Sequence, residues 1–95
     1  MSNPTRTAIV TGAAQGIGKA IALHLARDGL DIVINDLPGQ VEKLEEVKSE
    51  ITNEPGRRCI IVLGDASDEK DVQTLIDSCV SQLGGLDVVS IIPIQ

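Results

Sequence analysis

The chain has 95 residues, of which 42% are hydrophobic, and this is enough for one domain with a modest core. A formal net charge of −6 argues against a nucleic-acid partner, because no basic face is available to neutralise phosphates. The absence of Phe, Trp and Tyr excludes a phenol as general acid and an aromatic ring that stacks on a base. With no bilayer-spanning segment and no secretory core in residues 1–6, we expect no membrane contact and a cytoplasmic location.

Strand and helix patterns alternate along the chain. Four short runs rich in isoleucine and valine predict strands that are buried on both faces, at Thr7–Thr11, Asp31–Asn35, Cys59–Leu63 and Asp87–Ile92. Apolar residues at helical spacing predict helices between them, over Ile17 to about Asp28, about Gln40–Asn53 and about Asp68–Leu83. The order βαβαβαβ predicts an α/β fold with a parallel sheet.

A glycine-rich turn, Thr11-Gly12-Ala13-Ala14-Gln15-Gly16-Ile17-Gly18, joins the first strand to the first helix. Gly12 permits a tight turn, and Gly16 lets a phosphate approach the backbone. We expect Gly18 on the side of the helix that faces the sheet, where a Cβ would push helix and strand apart. Such a turn closes backbone N–H groups and the positive end of a helix around a pyrophosphate, which predicts a nucleotide site.

A P-loop is the nearest alternative, because Gly18-Lys19 is similar to its end. The opening glycine of that motif would fall at Ala13, and its Mg²⁺-binding Ser or Thr would fall at Ala20. Hydrolysis of ATP or GTP is therefore not expected.

Asp36 ends the second strand eighteen residues after Gly18. A carboxylate there can accept hydrogen bonds from both hydroxyls of an adenosine ribose and would repel a 2′-phosphate. Its neighbour Leu37 and the turn residue Gln15 are uncharged, and no Arg or Lys is expected close enough to hold an extra phosphate. NAD is therefore favoured over NADP, while the alternative for Asp36 is an ordinary solvated aspartate at a strand end.

Asp65 ends the third strand and leaves two interpretations open. Its carboxylate could accept from an adenine amino group while the Ala66 N–H donates to the ring. It could equally cap the third helix, a position that Ser67 or Asp68 could also fill.

No metal site is expected. Cys59 and Cys79, twenty residues apart with no C-x-x-C motif, are typical of small buried hydrophobic residues in a reducing compartment. The acidic clusters at 42–50 and 68–71 are typical of solvated helix surface and of a helix start.

From Thr7 to about Ser90 the chain resembles the short-chain dehydrogenase/reductase family. Its glycine turn is similar to that family's cofactor motif at every fixed position, Asp36 to the acid that selects NAD, and Asp65 to the acid that contacts adenine. The resemblance implies that residues 1–95 form one NAD(P)-binding half domain between tails at 1–6 and 91–95. The implied fold is Rossmann-type and three-layered, with a four-stranded parallel sheet of order 3-2-1-4 and three helices. The implied cofactor-binding residues are Thr11, Gly12, Gln15, Gly16, Ile17, Gly18, Asp36, Leu37, Asp65 and Ala66.

The end of the chain departs from that family. An Asn-Asn-Ala-Gly turn usually follows the fourth strand, whereas this sequence continues with Ser90-Ile91-Ile92-Pro93-Ile94-Gln95. The family's catalytic Ser, Tyr and Lys lie on later elements and have no counterpart here. We therefore expect the cofactor-binding portion of an oxidoreductase, inactive by itself. The alternative is a truncated, non-catalytic isoform that binds nucleotide or pairs through the fourth strand, at Val88, Val89, Ile91 and Ile92.

Overall fold

The computed structural model describes residues 6–90, and for residues 88–90 the backbone alone. Strands and helices alternate as the sequence predicts, with most boundaries within one residue of the expected ones. A 3₁₀ turn that was not predicted, at Pro38–Gln40, precedes the second helix. The elements are β1 (Thr7–Val10), α1 (Gly16–Arg27), β2 (Asp31–Asp36), α2 (Val41–Thr52), β3 (Cys59–Leu63), α3 (Glu69–Leu83) and β4 (Val88–Ser90).

The strands form one parallel sheet in the order β3-β2-β1-β4. Most of the paired residues belong to β1, β2 and β3, in which Val10 lies opposite Ile34 and Ile34 opposite Ile61. The fourth strand adds only three residues, which pair with β1. The α/β class with a parallel sheet is thus confirmed, while Ile91, Ile92 and the tails at 1–5 and 91–95 lie outside the described residues.

Two small cores cover the two faces of the sheet. On one face α1 and α2 pack against β-strand side chains such as Val10 and Ile34, both fully buried. On the other face α3 packs against Ile9 and Val33. The strands are apolar on both faces because each face is covered by helices. This layering leaves the amino and carboxyl ends of the strands accessible.

Polar contacts join neighbouring segments at the amino ends of the strands. Asp31, whose side chain is 2% exposed, accepts hydrogen bonds from the backbone N–H of Arg58 (2.8 Å) and from its Nε (2.9 Å). On the other side of the sheet, Asp87 Oδ2 accepts from the Thr7 N–H at 2.8 Å. These contacts tie the strands together at their amino ends, where Thr7, Arg58 and Asp87 also line a cavity.

Cys59 and Cys79 are free and buried, as predicted. Burial raises the pKa of the Cys59 thiol from 9.0 to about 12, because the thiolate would lose its hydration. Since the folded pKa lies above the unfolded one, the thiol's contribution to stability is complete below pH 9.0 and is lost as the pH rises toward about 12.

We therefore expect the free energy of unfolding to fall with a slope of up to about 1.4 kcal/mol per pH unit above pH 9.0 from this one thiol. Urea unfolding followed by circular dichroism between pH 8 and about 11 measures that slope in the native chain and in Cys59→Val. The Val variant should show a shallower slope. Equal slopes in the two proteins would contradict the expectation.

Candidate nucleotide-binding site

Three predicted segments come together at the carboxyl ends of the strands. The glycine turn follows β1, Asp36 and Leu37 end β2, and Asp65 and Ala66 follow β3. Parallel strands place their carboxyl ends at one edge, and open α/β sheets bind ligands in the crevice outside it. The structure therefore assembles the predicted site residues on one side of the molecule.

The turn has the conformation that its glycines permit. Gly12 and Gly16 have φ angles of +64° and +62°, in the left-handed region that side chains disfavour. A Cβ placed on Gly16 would meet nothing within 4 Å, so the backbone there is open to an approaching group. Thr11 is buried at the end of β1, whereas Gln15 and Ile17 are exposed at the start of α1.

Gly18 is buried and has no room for a Cβ. A Cβ at this position would lie 2.0 Å from the carbonyl oxygen and 2.6 Å from the carbonyl carbon of Gly12. A clash at Gly18 was predicted, and the structure shows that the Cβ would meet the turn just after β1, which folds back over the first turn of α1. Gly18 thus sets the shape of the turn.

The start of α1 is suited to an anion. Gln15, the N-cap residue, makes no side-chain capping bond, and the first turn of the helix contains no acidic residue. The first N–H groups of a helix lack intrahelical partners and carry partial positive charge. Together with the open backbone at Gly16, they form a cradle for a phosphate group.

Asp36 is a buried acceptor that joins two parts of the site. It is 8% exposed. Its Oδ2 accepts from the Ala14 N–H at 3.1 Å and its Oδ1 accepts from the Leu37 N–H at 2.8 Å. A solvated aspartate at a strand end, the alternative considered from sequence, is therefore wrong. Because a carboxylate has about four lone-pair sites, two remain after these bonds for further donors.

The loop after β3 resolves the two interpretations of Asp65 in part. Asp68 is the N-cap of α3, accepting from the N–H groups of Lys70 and Asp71, so Asp65 does not cap the helix. Asp65 Oδ1 accepts instead from the Ser67 hydroxyl (2.6 Å) and the Ser67 N–H (2.8 Å). These bonds lower the pKa of the Asp65 carboxyl, which therefore stays ionised as an acceptor beside half-buried Ala66.

Asn35 adjoins the candidate site and was not predicted to have a role there. This fully buried residue donates from Nδ2 to the carbonyls of Val62 (2.9 Å) and Gly64 (3.2 Å). Its Oδ1 is buried without a partner among the described residues. The side chain thereby holds the start of the β3–α3 loop against β2. A polar residue at a strand position that is expected to be buried is the signal that could have identified it.

Lys43 was also missed. Its Nζ lies 2.6 Å from Gln15 Oε1, so a residue of α2 reaches the glycine turn. This contact with the turn was not expected from sequence, and it arises because α1 and α2 lie side by side, with the start of α2 adjoining the start of α1. Sequence spacing does not show this contact, which joins residues 28 positions apart.

Within residues 6–90 the structure contains no helix that could cross a membrane. The same residues include no group of three or more His, Cys, Asp or Glu side chains arranged to hold a metal ion.

Comparison with known proteins agrees with this architecture. Residues 6–91 match the model of the short chain dehydrogenase family. The chain is 52% identical over 84 residues to the short-chain dehydrogenase/reductase eriH of Hericium erinaceus, covering 86% of this chain and 33% of eriH. It is 44% identical over 87 residues to the uncharacterized oxidoreductase YhxD of Bacillus subtilis, covering 92% of this chain and 29% of YhxD.

Solved structures give the same result. YwfH, an NADPH-dependent reductase involved in bacilysin biosynthesis, is similar with a TM-score of 0.79 and 42% identity, over 90% of this chain and 33% of YwfH. L-sorbose reductase from Gluconobacter frateurii, solved with NADPH and L-sorbose, is similar with a TM-score of 0.81 and 31% identity, over 94% of this chain and 33% of that protein. The chain thus spans about a third of the length of these relatives. With its glycine turn, its Rossmann-like sheet and this match over residues 6–91, the chain belongs to the short-chain dehydrogenase family.

Proposed function

We propose that this chain is the dinucleotide-binding part of an NAD(P)-dependent short-chain oxidoreductase and binds the adenosine and pyrophosphate half of the cofactor. One observation carries the proposal: Asp36, at the end of β2, accepts a hydrogen bond from Ala14 inside the glycine turn. This bond supports the proposal because the carboxylate that would accept from ribose hydroxyls lies beside the turn that would hold the phosphates.

Each segment of the site has a role in this proposal. The turn from Thr11 to Gly18 would hold the pyrophosphate at the start of α1, where Gly16 leaves the backbone open. The two remaining lone-pair sites of Asp36 would accept from the ribose hydroxyls, with Leu37 beside them, and this favours NAD. Asp65 and Ala66 would contact the adenine, on the loop that Asn35 holds in place.

The chemistry of the complete family member would be hydride exchange between the nicotinamide of NAD(P) and an alcohol or carbonyl substrate. This chain contains no Tyr and therefore offers no phenol to move the accompanying proton. We propose that it forms a single half domain without catalytic turnover of its own. Its two free, buried cysteines support a reducing compartment such as the cytoplasm.

The test is calorimetric titration of the chain with 5′-ADP and, separately, with nicotinamide mononucleotide. We expect 5′-ADP to bind with a dissociation constant of about 1 mM, equivalent to about 4 kcal/mol. Nicotinamide mononucleotide should bind at least about tenfold more weakly, because it lacks the adenosine that the Asp36 and Asp65 segments would contact. No NADH-dependent carbonyl reduction is expected.

A second role, pairing with another chain, is favoured by the position of β4 at the edge of the sheet. The same titration separates the two roles. If the chain is only a pairing module, sedimentation velocity will show association that depends on protein concentration, while 5′-ADP will give no binding heat. Absence of 5′-ADP binding at about 10 mM would reject the proposed nucleotide function.

A further inference from the structure

The loop between β3 and α3 is held by backbone hydrogen bonds on both sides of Asp65. Before Asp65, the Gly64 N–H donates to the Asp36 carbonyl at 3.1 Å. After it, the Asp68 N–H donates to the Asp65 carbonyl at 2.9 Å. The Asp65 N–H itself is bonded to a side chain of α3, and the inference drawn from that contact rests on the proposed function.

Asp71 is the α3 residue that makes this contact. Its Oδ2 accepts from the Asp65 N–H at 2.8 Å. Asp71 is the third residue of α3 after the N-cap Asp68, and a side chain at that position commonly reaches back to the N–H of the N-cap residue. Here that N–H is already bonded to the Asp65 carbonyl, and Asp71 reaches past it. The side chain thereby joins the start of α3 to the end of β3.

Gly64 allows the loop and the helix to approach closely. A Cβ on this residue would lie 3.2 Å from Cβ, Cγ and Oδ2 of Asp71, which is closer than ordinary van der Waals contact. Asp71 is half-buried, whereas Glu69 and Lys70 of the same helical turn are exposed. The Asp71 carboxylate is therefore packed against the loop, unlike the other charged side chains at the start of α3.

The Asp65 side chain keeps one oxygen for a ligand. Its Oδ1 accepts from both the hydroxyl and the N–H of Ser67. No donor among the described residues is bonded to Oδ2, so this is the oxygen that could meet an adenine amino group. Its position depends on the two peptide groups of Asp65, of which Asp71 fixes the first and Asp68 the second.

We propose that Asp71 is a positioning residue for recognition of the base. By holding the Asp65 N–H, it sets the Asp65 carboxylate where that group accepts from the 6-amino group of adenine. Without Asp71 the Asp65 N–H turns to water, and the peptide group that orients the carboxylate becomes free. The contacts proposed for ribose and pyrophosphate come from Asp36 and the glycine turn. Loss of Asp71 therefore lowers selectivity for the base and leaves the affinity for nucleotides in general unchanged.

The test compares 5′-ADP with 5′-IDP, whose base has an oxygen in place of the 6-amino group. Chemical-shift titration of the ¹⁵N-labelled chain measures both affinities. The native chain should bind 5′-ADP at least about tenfold more tightly, because the Asp65 carboxylate would face an oxygen of 5′-IDP. In Asp71→Ala we expect the dissociation constant of 5′-ADP to rise about fivefold, the scale of one hydrogen bond, and that of 5′-IDP to change less than about twofold.

Two further variants separate the hydrogen bond from the charge at the helix start. Asp71→Asn keeps an oxygen that can accept from the Asp65 N–H and should retain the preference for 5′-ADP. Glu69→Ala is the matched control, because it removes an exposed acidic side chain from the same turn of α3 and should leave the preference unchanged. Equal weakening of both nucleotides in Asp71→Ala, or an unchanged preference, would overturn the role of Asp71 alone.

The native chain separates this inference from the function on which it rests. Failure to bind either nucleotide would overturn both proposals, whereas equal affinity for the two would overturn only the recognition of the base. Amide hydrogen exchange of the native chain gives a result that does not depend on the folding of any variant. With 5′-ADP bound, the Asp65 N–H should exchange at least about tenfold more slowly than an unstructured amide. Exchange at the unprotected rate would overturn the role of Asp71.

Discussion

Replacing Gly18 with alanine is expected to lower the free energy of unfolding by about 2 kcal/mol and to abolish detectable 5′-ADP binding. The added Cβ would lie 2.0 Å from the Gly12 carbonyl oxygen, so one of the two backbone segments must move. Inserting a methyl group into a packed site typically costs about 1–3 kcal/mol, and a contact this short is expected at the upper end. Alanine recovers about 1 kcal/mol through its higher helix propensity. Because the segment that moves is the turn proposed to hold the phosphates, binding should be lost together with stability.

Gly39→Ala is the matched control for this change. Gly39 lies in the 3₁₀ turn, its φ is not in the left-handed region, and its Cβ would meet nothing within 4 Å. We expect its unfolding curve and 5′-ADP affinity to stay close to those of the native chain. Urea unfolding and calorimetry on both variants provide the comparison. If Gly18→Ala unfolds and binds 5′-ADP like the native chain, the predicted clash with Gly12 is wrong.

Replacing Asp36 with asparagine is expected to weaken both the fold and the site. Both carboxylate oxygens accept backbone N–H groups, from Ala14 and Leu37. An amide offers one oxygen, so its NH₂ group would face one of these donors and leave it without an acceptor. An unsatisfied buried donor costs about 1–3 kcal/mol, and we expect a loss of about 2 kcal/mol.

The same substitution should raise the dissociation constant of 5′-ADP by at least about tenfold, because hydrogen bonds from the ribose hydroxyls to a charged acceptor are lost. Asp77→Asn is the control, since Asp77 is exposed on α3 and bonds only to Gln73 within the described residues. Calorimetry and urea unfolding report the two effects separately. If the Asp36→Asn protein binds 5′-ADP as tightly as the native chain, Asp36 does not contact the ligand.

Local patterns were sufficient to predict the strands and the longer helices, and the segments that meet at the carboxyl ends of the strands. Runs such as Cys59–Leu63 are apolar because the strand is buried on both faces, and this property depends only on neighbouring residues. The turn at Gly12–Gly18 and the acid at Asp36 were likewise recognisable because strand-to-helix turns and strand ends follow from chain order.

Contacts between distant segments were not predictable in the same way. Gly18 lies against Gly12 instead of the strand because the turn folds back on itself, a property of backbone angles and not of residue spacing. Lys43 reaches Gln15 only because α1 and α2 pack side by side, and its flexible stem allows many other positions. Both contacts lie at the candidate site.

The most direct measurement is a ¹⁵N–¹H correlation spectrum of the labelled chain during titration with NAD. The account predicts that chemical-shift changes concentrate in three segments, Thr11–Gly18, Asp36–Leu37 and Asp65–Ala66, while Asp31 and Arg58 at the opposite edge of the sheet do not shift. Changes confined to that opposite edge, or no changes at about 10 mM NAD, would contradict the assignment of this chain as a dinucleotide-binding module.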